Sequence, residues 1–235
     1  MFKPEYSRFG AEILIGPSAS QLTQISPAED RVWVAQDRIV GEEVCFHAVA
    51  VNGVLTAFAA YGSPWRRPGG VGYAFESLAE VAAAPLFEAA QRLAGFVRDG
   101  QFACDAIIDA DGRPWMIECN PRGTSGLHLF GGRSELALAM TGQADRLVRG
   151  RERGHLGLAM WLYGLPEAIK QRRMASWSRE RREGQDVIAR GGGAAPVLGA
   201  LIDSAVFSMR AARTGCSLEQ AMTRDIEWNG PGGAQ

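Results

Sequence analysis

Residues 103–122 read ACDAIIDADGRPWMIECNPR, two apolar runs with a polar turn between them. The alternating runs and the Asp-Gly pair that separates them predict a β-hairpin. In the simplest register, Asp109 faces Pro114 and Asp105 faces Glu118, and residues that face each other across two strands share one side of the sheet. The hairpin is therefore expected to carry two carboxylates side by side.

Such a carboxylate pair is repulsive unless a cation lies between its members. Asn120 lies two residues beyond Glu118, points to the same side and adds a carbonyl oxygen. Asp105, Glu118 and Asn120 would suit a hard cation such as Mg²⁺, or Mn²⁺ as an alternative, with water and a substrate phosphate completing the shell. Arg122 would offer its guanidinium to the same phosphate. The spacing equally allows an acidic hairpin that lies open to water.

The same register places Cys104 opposite Cys119 on the other side of the hairpin. We predict that these thiols are close cross-strand neighbours, reduced, and packed as small apolar groups in the core. A redox switch across the hairpin is the alternative interpretation.

The composition of the chain excludes several classes of partner. The 235 residues carry 25 Lys and Arg against 26 Asp and Glu, a formal net charge of −1. Because this small net charge creates no strong electrostatic field that would attract nucleic acid or a membrane surface, neither is expected as a partner. The four cysteines form no CxxC pair, and no signal peptide or apolar run long enough to cross a bilayer is recognised. A cytoplasmic location is predicted.

Three segments of the chain differ in the secondary structure that their sequences predict. Residues 1–40 contain short β-rich runs, EILIGP and VWVAQDRI. Residues 41–150 contain AVAVNGVLTAFAAY, where Asn-Gly signals a tight hairpin turn, and a helical pattern. Residues 151–235 are predicted to lack strands. The expected helices are Pro85–Arg98, Leu156–Arg182 and Ala200–Arg213.

The motif order resembles that of the ATP-grasp enzymes, such as biotin carboxylase, carbamoyl phosphate synthetase and D-alanine–D-alanine ligase. The matching elements are a strand with an aspartate, a DxDG turn, and a second strand that ends in E-x-N-P-R. The resemblance implies an α+β fold with antiparallel sheets and flanking helices. It further implies that residues 1–40 are a remnant of the lid subdomain, 41–150 the C-terminal subdomain with the metal site, and 151–235 a helical extension.

Residues 32–44, VWVAQDRIVGEEV, resemble the hinge of that family, in which a short apolar linker holds adenine and a glutamate holds ribose. Carried over position by position, the resemblance places Gln36, Asp37 and Ile39 at adenine and Glu43 at the ribose hydroxyls.

Residues 2–10, FKPEYSRFG, resemble the strand and glycine loop that cover the triphosphate. The resemblance places Lys3 on the phosphates and Ser7, Arg8 and Gly10 in the loop. Lys3 and Arg122 would then act as the catalytic cations.

In most of the family, ATP phosphorylates a carboxylate and the acylphosphate is attacked by a nucleophile. The resemblance thus implies a carboxylate-amine or carboxylate-thiol ligase that uses ATP and a small carboxylate. One departure is that a whole N-terminal domain precedes the equivalent of Lys3 in the family, whereas here Lys3 is the third residue. The alternative function is therefore a non-catalytic or complementing Mg-ATP-binding fragment, which would join a separate N-terminal chain.

Overall fold

The computed structural model describes residues 1–5, 13–29, 31–67, 71–132 and 134–223. The chain divides into two compact units. The first comprises Met1–Arg38 and Gly191–Gln235, and the second comprises Ile39–Arg190. The predicted adenine hinge therefore spans the boundary between the units.

The described residues of the first unit form two strands and three helices. Their bounds are β1 (Phe2–Pro4), α1 (Ala19–Leu22), β2 (Trp33–Ala35) and, near the C-terminus, α7 (Ala194–Thr214) and α8 (Leu218–Thr223).

The second unit contains the main sheet and the helices around it. Its strands are β3 (Glu42–Val51), β4 (Val54–Arg66), β5 (Gly72–Ser77), β6 (Gly100–Ile108), β7 (Pro114–Asn120), β8 (Val148–Arg149), β9 (Gly154–His155) and β10 (Gln185–Asp186). Its α-helices are α2 (Glu80–Val97), α3 (Ser134–Met140), α4 (Gly157–Ala159), α5 (Leu165–Lys170) and α6 (Met174–Glu183). A 3₁₀ helix covers Ser125–Phe130, and a π-helical turn, Met160–Gly164, joins α4 to α5.

In the first unit, β1 pairs antiparallel with β2, and Lys3 faces Val34. The predicted run EILIGP forms no strand in its described part, since Leu14 makes only an isolated bridge to Phe2. Gly16, with φ +57°, and Pro17 follow immediately, and both residues interrupt strand geometry.

The main sheet has the strand order β10-β9-β5-β4-β3-β6-β7, with β8 paired to β4. The pairs β10–β9 and β8–β4 are parallel, whereas the others are antiparallel. The predicted hairpin is confirmed, since β3 and β4 are joined by Asn52 and Gly53, both with positive φ. The predicted α+β class with antiparallel sheets and flanking helices is also confirmed.

Each face of the sheet carries its own core. One face packs on α2, and its buried centre includes Phe46, Phe58 and Phe102. The opposite face, with buried Val49 and Tyr61, is covered by the 3₁₀ helix and α3. Strict alternation along β3 supplies side chains to both cores.

Packing of α5 and α6 forms a third apolar cluster, centred on Trp65 and Trp177. The Trp177 indole N–H donates to the Met160 carbonyl at 2.9 Å. The Arg173 guanidinium lies 4.5 Å from the centre of the Trp65 ring. These contacts fix the helical segment onto the end of β4.

Two predictions for the C-terminal segment are wrong. Strands do continue beyond residue 150, because β9 and β10 extend the sheet past β5. The predicted single helix over Leu156–Arg182 is interrupted at Gln171–Arg173, where Arg172 has φ +56°. Elsewhere, α2 begins at Glu80, ahead of the predicted start at Pro85, and α7 contains the whole of Ala200–Arg213.

Helix α7 spans 21 residues and is long and apolar enough to cross a membrane, judged by length and composition alone. It is the one described helix for which this holds. No such run was predicted from the sequence. Asp203 and Arg210 nevertheless place charges within the helix.

The hairpin of β6 and β7 contains a bulge that the simplest register did not predict. Asp105 faces Glu118 as predicted, but Ala106 faces Met116, so Ile117 is the extra residue. The bulge shifts the register toward the turn by one residue. Consequently Ile108, and not Asp109, faces Pro114.

The predicted pairing of Cys104 with Cys119 is confirmed, and both thiols are free. Cys104 is buried against α2, whereas Cys119 is exposed on the edge strand. The prediction that both thiols lie in the core is therefore wrong for Cys119, because nothing in the described chain packs over that side of β7 closely enough to bury it.

We predict that Gly41→Ala destabilises the sheet. A Cβ at this position would overlap the carbonyl oxygen of Ile108 and approach the Ile107 side chain at 2.7 Å, so β3 and β6 would have to separate locally. The expected loss in the free energy of unfolding is about 1–3 kcal/mol, measured by urea denaturation.

The matched control is Gly95→Ala in α2, where no atom lies within 4 Å of the added Cβ. This variant should be stabilised by roughly 0.5–1 kcal/mol, because alanine favours a helix interior over glycine. Equal stabilities of the two variants would contradict the close approach of β3 and β6.

Candidate functional site

One row of side chains crosses five strands on the face that the 3₁₀ helix covers. Each residue directly faces the next one in the neighbouring strand, so the whole row lies on one side of the sheet. From β5 to β7 the row reads Ser77, Tyr61, Cys45, Asp105 and Glu118.

The acidic end of this row is the predicted metal site. Asp105 is half-buried, and Glu118 is exposed on the edge strand. Asn120 lies two residues further along β7, past the bulge, and so on the same side as Glu118. The Arg122 guanidinium lies 3.4 Å from the Asn120 side-chain oxygen. The structure brings these four residues together, and their functional roles stay predictions.

The ligand chemistry of the site is limited to oxygen. Within the described ranges, no group of three or more His, Cys, Asp or Glu side chains is arranged to hold a metal ion. Asp105 and Glu118 supply two carboxylates, and the third predicted ligand, Asn120, is an amide. Two carboxylates suit Mg²⁺, which keeps much of its shell for water and phosphate.

The middle of the row consists of two groups that stay neutral at physiological pH. Burial, reinforced by the charge of Asp105, raises the pKa of the Cys45 thiol. Burial likewise raises the pKa of Tyr61. Sequence reasoning missed both residues, although the alternation of β3 and β4 placed them on one face. Their contribution becomes visible only when the strands are aligned.

His47 follows Cys45 on the same face and is fully buried. Among the described residues neither ring nitrogen has a hydrogen-bond partner, and burial lowers the pKa of His47 to about 4. The ring packs edge-on against Phe130, with centroids 6.1 Å apart. A Cβ on Gly126 would overlap the His47 side chain, so the glycine allows the 3₁₀ helix to lie close over this face.

His128 lies in the 3₁₀ helix that covers this face. Its ring stacks on Phe75, with centroids 6.0 Å apart, and its carbonyl oxygen accepts from Arg190 at 3.0 Å. Burial and the nearby Arg190 charge lower the pKa of His128. These contacts are those of a packing residue.

A cleft of about 580 Å³ opens beside the start of β3. Its size lies within the range of small-molecule sites. Glu43, the predicted ribose ligand, lines the cleft and is ion-paired with Arg66. The lining consists of residues from the starts or ends of three strands and the entry to α2: Gly41, Glu42, Glu43, Gly62, Ser63, Pro64, Arg66, Glu76, Ser77, Leu78 and Ala79.

The remaining predicted nucleotide residues are divided between the two units. In the first unit, Lys3 lies on β1, and the Gln36 amide donates to the Met1 carbonyl at 2.9 Å, so both belong to the same two-stranded sheet region. Asp37 is exposed in that unit, and Ile39 begins the second.

Three predicted residues of the phosphate loop lie outside the described residues. They are Ser7, Arg8 and Gly10.

Asp109 organises the loop of the β6–β7 hairpin. Its carboxylate accepts from the amides of Asp111 and Arg113 at 3.0 and 2.9 Å, and from the Trp115 indole at 2.8 Å. Gly112 supplies the positive φ that closes the turn. The indole and amide hydrogen bonds lower the pKa of Asp109. The DxDG motif, residues 109–112, thus shapes the loop and lies apart from the row.

Comparison with known proteins gives structural matches only. No protein-family model and no curated protein matches the chain. The solved structures that are similar include an L-amino acid ligase from Bacillus licheniformis, with 18% identity over 55% of this chain and 38% of that one, at a TM-score of 0.38. A biotin carboxylase from Campylobacter jejuni matches with 14% identity over 46% of this chain and 27% of that one, at a TM-score of 0.36.

A third match is a phosphoribosylaminoimidazole carboxylase ATPase subunit from Aquifex aeolicus, with 19% identity over 55% of this chain and 45% of that one, at a TM-score of 0.39. The chain spans less than half the length of these structures. With TM-scores this low, the chain's own residues must carry any statement about its chemistry.

The hydrogen bonds of Asp109 predict an acid-sensitive contribution to stability. Because the folded-state pKa is lowered, the ionised carboxylate stabilises the fold above its unfolded-state pKa, and this contribution disappears as the pH falls through the folded-state value. Asp109→Asn should therefore be less stable than wild type at about pH 7 and nearly equal to it at about pH 2 in urea unfolding.

Asp111→Asn is the matched control, since it changes a carboxylate of the same loop that accepts no hydrogen bond among the described residues. A stability difference between Asp109→Asn and wild type that persists unchanged at low pH would contradict the assignment.

Proposed function

We propose that the chain is the ATP-binding part of an ATP-grasp ligase. Asp105, Glu118 and Asn120 hold Mg²⁺ against the ATP phosphates, and Arg122 steadies the transferred phosphoryl group. The observation that carries the proposal is the pair of carboxylates facing each other at the end of one row, with Asn120 beside them and in contact with Arg122.

The residues present fit this metal. Their donors are all oxygen atoms, and exposure of Glu118 leaves room for water and phosphate in the shell. A bound divalent cation would also relieve the repulsion between the two carboxylates. When bound, Mg²⁺ neutralises charge on the phosphates during transfer.

The neutral middle of the row sets the charge of the site. Cys45 and Tyr61 keep their protons because both are buried, so neither adds negative charge beside Asp105. The carboxylates of Asp105 and Glu118 are then the anionic groups of the row, and their two formal charges match a divalent cation.

The nucleotide is proposed to bind with its ribose at the cleft. Glu43 would accept hydrogen bonds from the ribose hydroxyls, and its ion pair with Arg66 holds it at the cleft rim. The backbone around Gln36, Asp37 and Ile39 would bind adenine. Lys3, with Ser7, Arg8 and Gly10, would cover the phosphates.

The reaction proposed for the complete enzyme transfers the terminal phosphoryl group of ATP to a small carboxylate. An amine or thiol then attacks the acylphosphate, forms the new bond to the acyl carbon and releases phosphate. In this scheme Arg122 and Lys3 stabilise the charge on the transferred group. Because the chain spans less than half of the matched structures, the activity of a whole ligase is part of the proposal.

A second candidate is a Mg-ATP-binding fragment without turnover, completed by a separate N-terminal chain. This candidate keeps the proposed Mg-ATP contacts and lacks the chemical step. Release of ADP by the purified chain, given ATP, Mg²⁺ and a panel of carboxylates and amines, supports the ligase. Saturable binding of Mg-ATP without ADP release supports the fragment.

We propose a cytoplasmic location for the protein. Its four cysteines are free, and Cys104 faces Cys119 across the hairpin without a bond between them. A reducing compartment keeps such a pair as thiols.

Glu118→Gln tests the metal role, because it keeps the side-chain shape and removes one negative charge. Saturating Mg-ATP should stabilise the wild-type chain by a few kcal/mol through mass action, measured as a shift in Tm. In the variant the shift should become small and nearly independent of Mg²⁺.

Glu88→Gln on the exposed side of α2 is the matched control and should respond as wild type does. An unchanged Mg²⁺-dependent shift in Glu118→Gln would refute the metal site.

Glu43→Ala tests the ribose contact. Loss of a charge-assisted hydrogen bond should weaken ATP binding by about 1.5–3 kcal/mol, measured by titration calorimetry. Arg66→Ala removes the other half of the ion pair and keeps the Glu43 carboxylate. This variant should therefore bind ATP more tightly than Glu43→Ala does. Equal ATP affinity in Glu43→Ala and wild type would reject this placement of the ribose.

A further inference from the structure

Helix α7 presents two apolar faces. The first face is buried or half-buried and consists of Val197, Ala200, Ser204, Phe207 and Ala211, spaced three and four residues apart. The second, which we name the outer stripe, consists of large apolar side chains that are each about half exposed: Leu198, Leu201, Ile202, Val206 and Met209.

The outer stripe also follows the three-and-four spacing of a single helix face. A surface helix usually has one apolar face, packed on its own core, and a polar face toward water. On α7 the first face is already partly covered, whereas the outer stripe is exposed, so the outer stripe is available as a second contact surface. A contiguous exposed apolar patch of this kind is typical of an interaction site.

The charges beside the outer stripe indicate which partner it fits. Asp203 and Arg210 lie seven residues apart, two turns along one edge of the stripe. Neither side chain forms an ion pair in the part of the chain that the structure describes. When two identical helices pack antiparallel about a twofold axis, the same edge of each helix faces that of the other. Asp203 of each copy then faces Arg210 of the other copy.

We propose that the outer stripe is the surface through which two copies of this chain dimerise, with their α7 helices antiparallel. The twofold axis passes beside Val206, halfway between Asp203 and Arg210. Ile202 and Met209 of one copy then pack on Met209 and Ile202 of the second copy. This inference goes beyond the proposed ligase function and does not depend on it.

The antiparallel arrangement follows from the order of the charges. In a parallel pair about a twofold axis, the edge that carries Asp203 and Arg210 lies on opposite sides of the interface in the two copies, so these charges find no partner. The antiparallel pair forms two ion pairs.

A membrane is the competing occupant, because α7 is long and apolar enough to span one. Three charged side chains, Asp203, Arg210 and Arg213, oppose this placement. Charged groups at the middle of a bilayer are costly, and the ion pairs of a dimer leave them at the edge of the interface and in contact with water. The charge pattern thus favours a second copy.

The expected dimer is weak. One helix pair lies at the small end of specific interfaces, below about 1,200 Å² of total buried surface. We therefore expect a concentration-dependent dimer in the micromolar range, measured by sedimentation equilibrium on the full chain.

Charge exchange tests the arrangement of the helices. Asp203→Arg and Arg210→Asp should each weaken dimerisation by about tenfold, because each variant replaces two attractive contacts with repulsive ones. The double variant, Asp203→Arg with Arg210→Asp, exchanges the two charges on each helix, so both ion pairs form again with reversed sign. It should recover most of the wild-type affinity for dimerisation. Arg92→Asp, a charge reversal on the exposed side of α2, is the control and should not change the dimer.

Val206→Asp tests the apolar contact at the axis and should abolish dimerisation, with circular dichroism checking that the fold is kept. A wild-type chain that stays monomeric at all concentrations would overturn the proposal. So would single charge variants that dimerise as wild type does, or a double variant that fails to recover. Co-sedimentation of a monomeric wild-type chain with phosphatidylcholine vesicles would replace it with the membrane interpretation.

Discussion

Strand β3 is hydrogen-bonded to β4 on one side and to β6 on the other, and its register decides which side chains meet on each face of the sheet. Phe46 points into the core under α2, and Cys45 lies beside Asp105 on the other face. A slip of one residue would exchange these environments, placing a phenylalanine among the polar groups and leaving the α2 core short of volume. The core and the candidate site are therefore specified by the same hydrogen-bond register, and neither can change alone.

The parts that sequence predicted well are local. Asn52 and Gly53 signal a two-residue turn by their tolerance of positive φ, and the alternation on either side of it defines the hairpin. The prediction that Asp105 faces Glu118 came from counting the residues on each strand outward from the turn. The count succeeded even though the loop was placed one residue away from its true position, because the bulge at Ile117 compensates for the shift.

The parts that sequence missed depend on distant partners. Ile117 continues an apolar run with nothing local to mark it as a bulge, and Trp115, Met116 and Ile117 are all substantially exposed. β9 and β10 have two residues each, too few for a pattern, and exist because β5 offers a free edge to Gly154 and His155. Residues from separate strands form the row, so its neutral centre could not be recognised until all five strands were aligned.

The turn at Asp109 bears on how the hairpin should be recognised in other sequences. Asp109 and Gly112 contribute loop geometry through hydrogen bonds and a positive φ, and neither residue is part of the row. A search pattern weighted on those two positions selects chains that make the same bend, whatever their chemistry. Weighting on the positions of Asp105 and Glu118 selects for the carboxylate pair, and the spacing between them must allow for one extra residue on the second strand. Descendants of one ancestral hairpin could thus keep the residues at positions 109 and 112 after losing the carboxylates at positions 105 and 118. Such chains would look related and yet have no carboxylate pair with which to bind a cation.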